Sequence, residues 1–244
     1  MKKYMPSVGN NGLEMMADTS TVQVNLDYSS EKDMVKKLRV GLTLQPIVTA
    51  MFASSPLQNM KKSKYISRRA AIWLDVDPNR CGIPEIVFDD GFGFEMWTDY
   101  ALKVPMYFIR RNNDYINCTG GSFESFLKGD LVEAGGNVAT IQDWEDHLST
   151  IFTEVRLKQF IEMRGADAGP WKNLCALPAF WVGLLYDPSS LGETEVLAAE
   201  ISIEKLKKMY NEVPQFGLST NINGRTVGEY AKDLLSIAIN GLKR

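Results

Sequence analysis

The chain has 244 residues, 45% of them apolar and 23% charged, which is enough to bury one sizeable core and ordinary for a water-soluble domain. Its net charge of −3 comes from 27 basic and 30 acidic residues interspersed along the sequence, which argues against a nucleic-acid footprint. The most apolar run, LCALPAFWVGLLY (174–186), is too short to span a bilayer and contains Pro178, so it is read as a buried helix and no membrane partner is expected.

The N-terminus, MKKYMPSVGNNG, places no apolar region behind its lysines, so no signal peptide is read. In chain order, residues 20–28 (STVQVNLDY) alternate as a strand, with Val22, Val24 and Leu26 on one face and Gln23, Asn25 and Asp27 on the other. A helix is predicted over 31–53, capped by Ser30 and kinked or split at Pro46. A polar loop follows at 54–64. Residues 70–78 (AAIWLDVDP) alternate again and are predicted as a second strand, with Ile72, Leu74 and Val76 opposite Trp73, Asp75 and Asp77. GFGF (91–94) is a turn that packs two phenylalanines. A short helix is placed at 96–102 and a strand at 105–109, with Asn112, Asn113 and Asp114 turning into a hairpin. Residues 140–152 form a capped helix, 155–166 return to strand, and helices are predicted at 171–186, 194–210 and 226–242. The fold class is α+β, with a largely antiparallel sheet in a single domain over 1–244.

Cys81, Cys118 and Cys175 are odd in number and widely spaced, against a disulfide framework or a cysteine zinc site, and this fits a reducing, cytoplasmic location. The single histidine, His147, is read as a helix-surface or capping residue rather than a catalyst.

Three predicted strands share one asymmetry: an aliphatic face opposite a polar one, made of Gln23/Asn25/Asp27, Asp75/Asp77 and Glu162/Arg164. Solvent faces of strands usually favour Lys, Glu and Thr over amides and aspartates, so a lined polar face is the better explanation. Carboxylates and amides on strands suit a hard cation such as Mg²⁺, and an arginine beside them suits a transferring phosphoryl group. There is no GxxxxGK[ST] or GxGxxG loop, so any ATP here would be held by a sheet.

The runs TVQVNLDY, LRVGLTLQPI, RRAAIWLDVDPNR, VFDDGFGFE, DYALKVPMYF, DWEDHLSTIFTEVRLKQFIEMRGADAGPW and LCALPAFWVGLLYD closely resemble the plant and alphaproteobacterial type of glutamate–cysteine ligase, in order and almost without gaps from Met5 to about Asp187. The resemblance implies an ATP-dependent ligase with a glutamine-synthetase-like catalytic fold. It would join the γ-carboxyl of glutamate to the amine of cysteine through γ-glutamyl phosphate, the first step of glutathione synthesis, with ATP and Mg²⁺ as cofactors. It also implies roles: Glu162 as Mg²⁺ ligand, Arg164 on the phosphoryl oxygens, and Gln23 at the place of a metal-binding histidine in the wider superfamily, with Asn25 beside it. Arg69, at the start of its strand, would clasp a substrate carboxylate, and Tyr107 would line the cysteine pocket. Asp18, Ala70 and Ala71 depart from the family pattern near Arg69, which leaves a different acceptor amine open. Cys118 and Cys175 match plant redox cysteines, but Glu133 stands where one pairing cysteine would be, so that switch is not transferred.

The resemblance covers the C-terminal portion of the family's longer members, with a sheet-containing ligase core over 1–187 and C-terminal helices over 188–244. The expectation is therefore a ligase active once its missing N-terminal part is supplied, and weak or inactive alone. The alternatives are one half of a split enzyme or a non-catalytic interaction module that pairs through an open sheet edge, as a homo-oligomer or with a partner chain.

Overall fold

The computed structural model describes Lys2 and residues 4–243. Two short helices, α1 (Met5–Val8) and α2 (Gly12–Asp18), precede strand β1 (Val24–Leu26). Helix α3 (Glu31–Met51) then runs through the middle of the molecule; Ser30 caps it by accepting from the Asp33 amide. Nearly every residue from Lys37 to Ala50 is buried, so this helix is enclosed on all sides instead of presenting one amphipathic stripe. Pro46 lies within it without splitting it.

The loop after α3 contains a small hairpin, β2 (Leu57–Gln58) and β3 (Lys61–Lys62). The strand predicted at 70–78 is instead helix α4 (Arg68–Trp73) followed by a turn. Ser67 accepts from the Ala70 amide and nucleates the helix, and Ile72 and Val76, four residues apart, both reach a core with Met5, Met15 and Tyr107. Ile72 and Val76 are spaced for either period, and the cap at Ser67 decides for a helix over the first turns. Asp75 and Asp77 therefore share no strand face. Asp75 holds Asn10, and Asp77 is buried against Arg80 at 2.7 Å.

Next come β4 (Cys81–Gly82), α5 (Phe94–Lys103), and the hairpin of β5 (Phe108–Arg111) and β6 (Asp114–Asn117). Asn112 and Asn113 both have positive φ, 51° and 68°, as a two-residue turn of this kind demands. Helices α6 (Phe123–Lys128) and α7 (Ile141–Ser149) follow; Thr140 and Asp143 form a capping box on α7. Arg111 grips Asp143 with both Nη atoms, at 2.7 and 2.9 Å, and so ties the β5–β6 hairpin to α7. His147 is buried, against the surface placement expected for it. It donates to the Ala101 carbonyl at 2.9 Å and packs on Phe123 and Trp144.

The chain then passes through β7 (Phe152–Thr153), which pairs in parallel with β4, and the hairpin of β8 (Val155–Leu157) and β9 (Ile161–Met163). Helices α8 (Trp171–Leu185), α9 (Pro188–Ala199) and α10 (Ile203–Phe216), a minimal hairpin of β10 (Asn221–Ile222) and β11 (Arg225–Thr226), and α11 (Val227–Lys243) complete it. The single helix expected over 194–210 is two, because Ser202 starts a new one by capping the Lys205 amide. Helices and small, mostly antiparallel sheets make the chain α+β. Its main sheet has three strands in the order β1–β9–β8, with α3 packed on one face. Among the described residues no helix is long and apolar enough to cross a membrane.

Candidate functional site

Strand β9 is the middle strand, so its side chains meet neighbours on both sides. Val24, Met163 and Val155 form one cross-strand row, and Leu26, Ile161 and Leu157 another. Both rows are buried beneath α3, and the Met163 thioether lies beside Gly41. The row between them must point the other way, because successive side chains in a strand alternate. It consists of Asn25, Glu162 and Arg156.

Arg164 lies one pleat beyond Glu162 on the same face and Gln23 one pleat before Asn25. Glu162 Oε2 accepts from Arg156 Nη2 at 2.7 Å and from Arg164 Nη1 at 2.8 Å. With its amide oriented to suit its neighbours, Gln23 donates to Glu162 Oε1 at 3.0 Å and accepts from Arg164 Nη1 at 2.8 Å. The structure thus brings Gln23, Glu162 and Arg164 into one cluster, with Asn25 exposed beside it.

Arg156 is a functional candidate the sequence reading missed. Residues 155–166 read as one strand, whereas Lys158–Phe160 turn the chain back, the Lys158 amide donating to the Phe160 carbonyl at 2.9 Å. A hairpin centred on 159 would have placed 156 opposite 162. Two guanidiniums facing one carboxylate leave the cluster with one net positive charge. Burial, then repulsion from Arg164, lowers the Arg156 guanidinium to about 10, with Glu162 opposing.

Arg69 lies behind this cluster, on α4 and not at a strand start. It donates to the Arg164 carbonyl at 2.7 Å and the Gly165 carbonyl at 3.1 Å. Burial lowers its pKa, while Glu154 and Asp167 counteract. To clasp a substrate carboxylate with both arms, it would have to release these main-chain oxygens. Glu154 is half-buried among Arg69, Arg164 and the Tyr210 hydroxyl, which donates to it at 3.3 Å, and burial pushes its carboxyl up.

Tyr107 stands apart, with the Arg80 guanidinium 3.7 Å from its ring centre and its hydroxyl 3.4 Å from Asp77. It lines a cavity of about 780 Å³ with Tyr4, Phe108 and Tyr115.

Among the described residues no group of three or more His, Cys, Asp or Glu side chains is placed to hold a metal ion. Glu162 offers one carboxylate, and its oxygens already face two guanidiniums and an amide. By themselves these residues do not fit a hard cation; they fit an anion.

The model of the glutamate–cysteine ligase family 2 matches residues 1–243. The chain belongs to this family. It is 54% identical over its whole length to glutamate–cysteine ligase B, chloroplastic, of Oryza sativa subsp. japonica, covering 49% of that protein. It is 53% identical to the chloroplastic enzyme of Arabidopsis thaliana and 52% identical to that of Nicotiana tabacum, covering 47% of each. The chain spans about half the length of the curated relatives it matches.

Those relatives are named chloroplastic, which overturns the cytoplasmic location expected from the thiols and the N-terminal residues. Cys81, Cys118 and Cys175 form no disulfide among the described residues, which is compatible with any reducing compartment.

Proposed function

We propose that this chain supplies the phosphoryl-holding part of an ATP-dependent glutamate–cysteine ligase of glutamine-synthetase-like architecture. The observation that carries this reading is the polar sheet face on which Arg156 and Arg164 converge on Glu162, within a chain of this family.

In the reaction, a γ-carboxylate oxygen of glutamate attacks the γ-phosphorus of ATP. The bond from phosphorus to the β–γ bridging oxygen breaks, and ADP leaves with that electron pair. The cysteine nitrogen then attacks the acyl carbon, phosphate departs with the carbon–oxygen electrons, and the amine loses its proton. Arg164 offsets charge on the phosphoryl oxygens through Nε and Nη2, which have no hydrogen-bond partner among the described residues. Glu162 holds Arg164 in place, and Arg69 anchors the main chain beneath it. The aromatic cavity at Tyr107 is the candidate receptor for the small side chain of cysteine. Mg²⁺ belongs to this reading as the companion of ATP, and no step is routed through it.

The test is ADP release by the purified chain with Mg²⁺, with glutamate and cysteine added singly and together. Sustained release is expected only with both, because cysteine must clear the acyl phosphate before a second turnover, and Arg164→Ala should lower it by about 10²-fold or more. A well-folded sample with no amino-acid-dependent release overturns the reading for this chain alone.

A second reading, a non-catalytic module, is favoured by the outer edge of β1, which is unpaired among the described strands. Light scattering with and without ATP separates the two, since a closed assembly indifferent to nucleotide supports the module.

A further inference from the structure

Arg156 is buried, yet one of its donors has no use within the described residues. Nη1 donates to the Ser149 carbonyl at 2.6 Å and the Ile151 carbonyl at 3.0 Å, and Nη2 reaches Glu162 at 2.7 Å. Nε is sealed off with no hydrogen-bond partner. A buried, incompletely satisfied guanidinium is costly, and a methionine or leucine could fill such a space without that cost.

The geometry shows what it does there. The carbonyls belong to the last residue of α7 and to the residue just before β7, so the fork is fixed to main chain at one side and aimed at Glu162 from the other. Arg164 takes the same carboxylate oxygen with one nitrogen only. We propose that Arg156 is a positioning residue of the phosphate site: it pins Glu162 Oε2 so that Glu162 holds Arg164 with Nε and Nη2 presented to an incoming phosphoryl group.

This rests on the phosphoryl-holding reading above and adds to it a residue that acts through Glu162 without touching the ligand. Its Nε is sealed and its Nη1 is spent on two carbonyls, whereas Nε and Nη2 of Arg164 have no partner among the described residues and are not closed off.

The probe is sodium tripolyphosphate, which carries the triphosphate charge without the base, titrated calorimetrically into the folded chain. Arg156→Gln is expected to weaken binding by about tenfold or more. In a Glu162→Gln background the same change should cost no more than about threefold, because only the long-range charge of Arg156 remains to be lost. Arg156→Lys keeps the charge and should recover part of the affinity, and it serves as the test if Arg156→Gln does not fold; circular dichroism checks each variant. Equal losses in both backgrounds, or binding within about twofold of wild type, overturn the positioning role. A wild-type chain that binds no tripolyphosphate overturns the phosphate reading itself, and Arg156 with it.

Discussion

At the residue scale, His147 shows how burial converts a titratable group into a stability device. Its ring is held neutral by desolvation, which lowers its pKa from 6.5 to about 4; the Ala101 contact opposes this and Arg80 reinforces it. The folded state therefore binds fewer protons than the unfolded chain between these values. The contribution is fully present above about pH 6.5 and is lost as pH falls toward 4, amounting to about 3 kcal/mol. Carboxylates titrate in the same window, so the readout is a difference. Urea midpoints of wild type should fall more steeply than those of His147→Gln between pH 6.5 and 4.5, and parallel profiles would remove His147 as the cause. Nothing in the local sequence DWEDHLST announces this burial; it follows from α7 lying against α5 and α6.

Among elements, the contact between α8 and α11 rests on two glycines. A Cβ on Gly183 would stand 2.3 Å from the Ala238 carbonyl oxygen, and one on Gly241 would stand 2.0 Å from the Gly183 oxygen. The helices approach backbone to backbone there, with no flexible side chain to yield. Gly183→Ala should cost about 1–3 kcal/mol and lower Tm by roughly 2–12 °C, read by thermal unfolding. An unchanged Tm would mean that the helices can separate freely. Helix α8 itself was legible, because LCALPAFWVGLLY is apolar at nearly every position. The nature of its contact was not, since glycine in a helix carries no signal of what approaches it. Helix α4 shows the opposite failure: alternation at 70–78 was real, but Ser67 and the helix-forming Ala70 and Ala71 outweighed it.

Across the whole molecule, one hydrophobic core joins the sheet-bearing part to the C-terminal helices. Leu206, Met209, Val213, Tyr230 and Leu234 are buried in the same cluster as Leu38, Leu42 and Met163. Side chains of this kind contribute about 1.5–3 kcal/mol each, and losing several exceeds a typical margin of about 5–15 kcal/mol. A chain ending at Ala199 is expected to show no cooperative melt by circular dichroism; a sharp transition would mean that the C-terminal helices form a separate layer. Tyr210 brings the same helices to the site, through its hydroxyl on Glu154 beside Arg69 and Arg164.

Period-two alternation was enough to put Glu162 with Arg164, and Gln23 with Asn25, on one face of their own strands, because it depends only on the backbone pleat. The hairpin turn at Asn112–Asn113, the caps at Ser30 and Thr140, and the family resemblance were likewise local properties of short runs. Pairing was not local. Which strands lie beside β9, and therefore that Arg156 stands opposite Glu162, depends on a turn at 158–160 and on α3 claiming the other face of the sheet. The charge of the cluster, which turns a presumed cation site into one suited to an anion, was decided there, by register and burial.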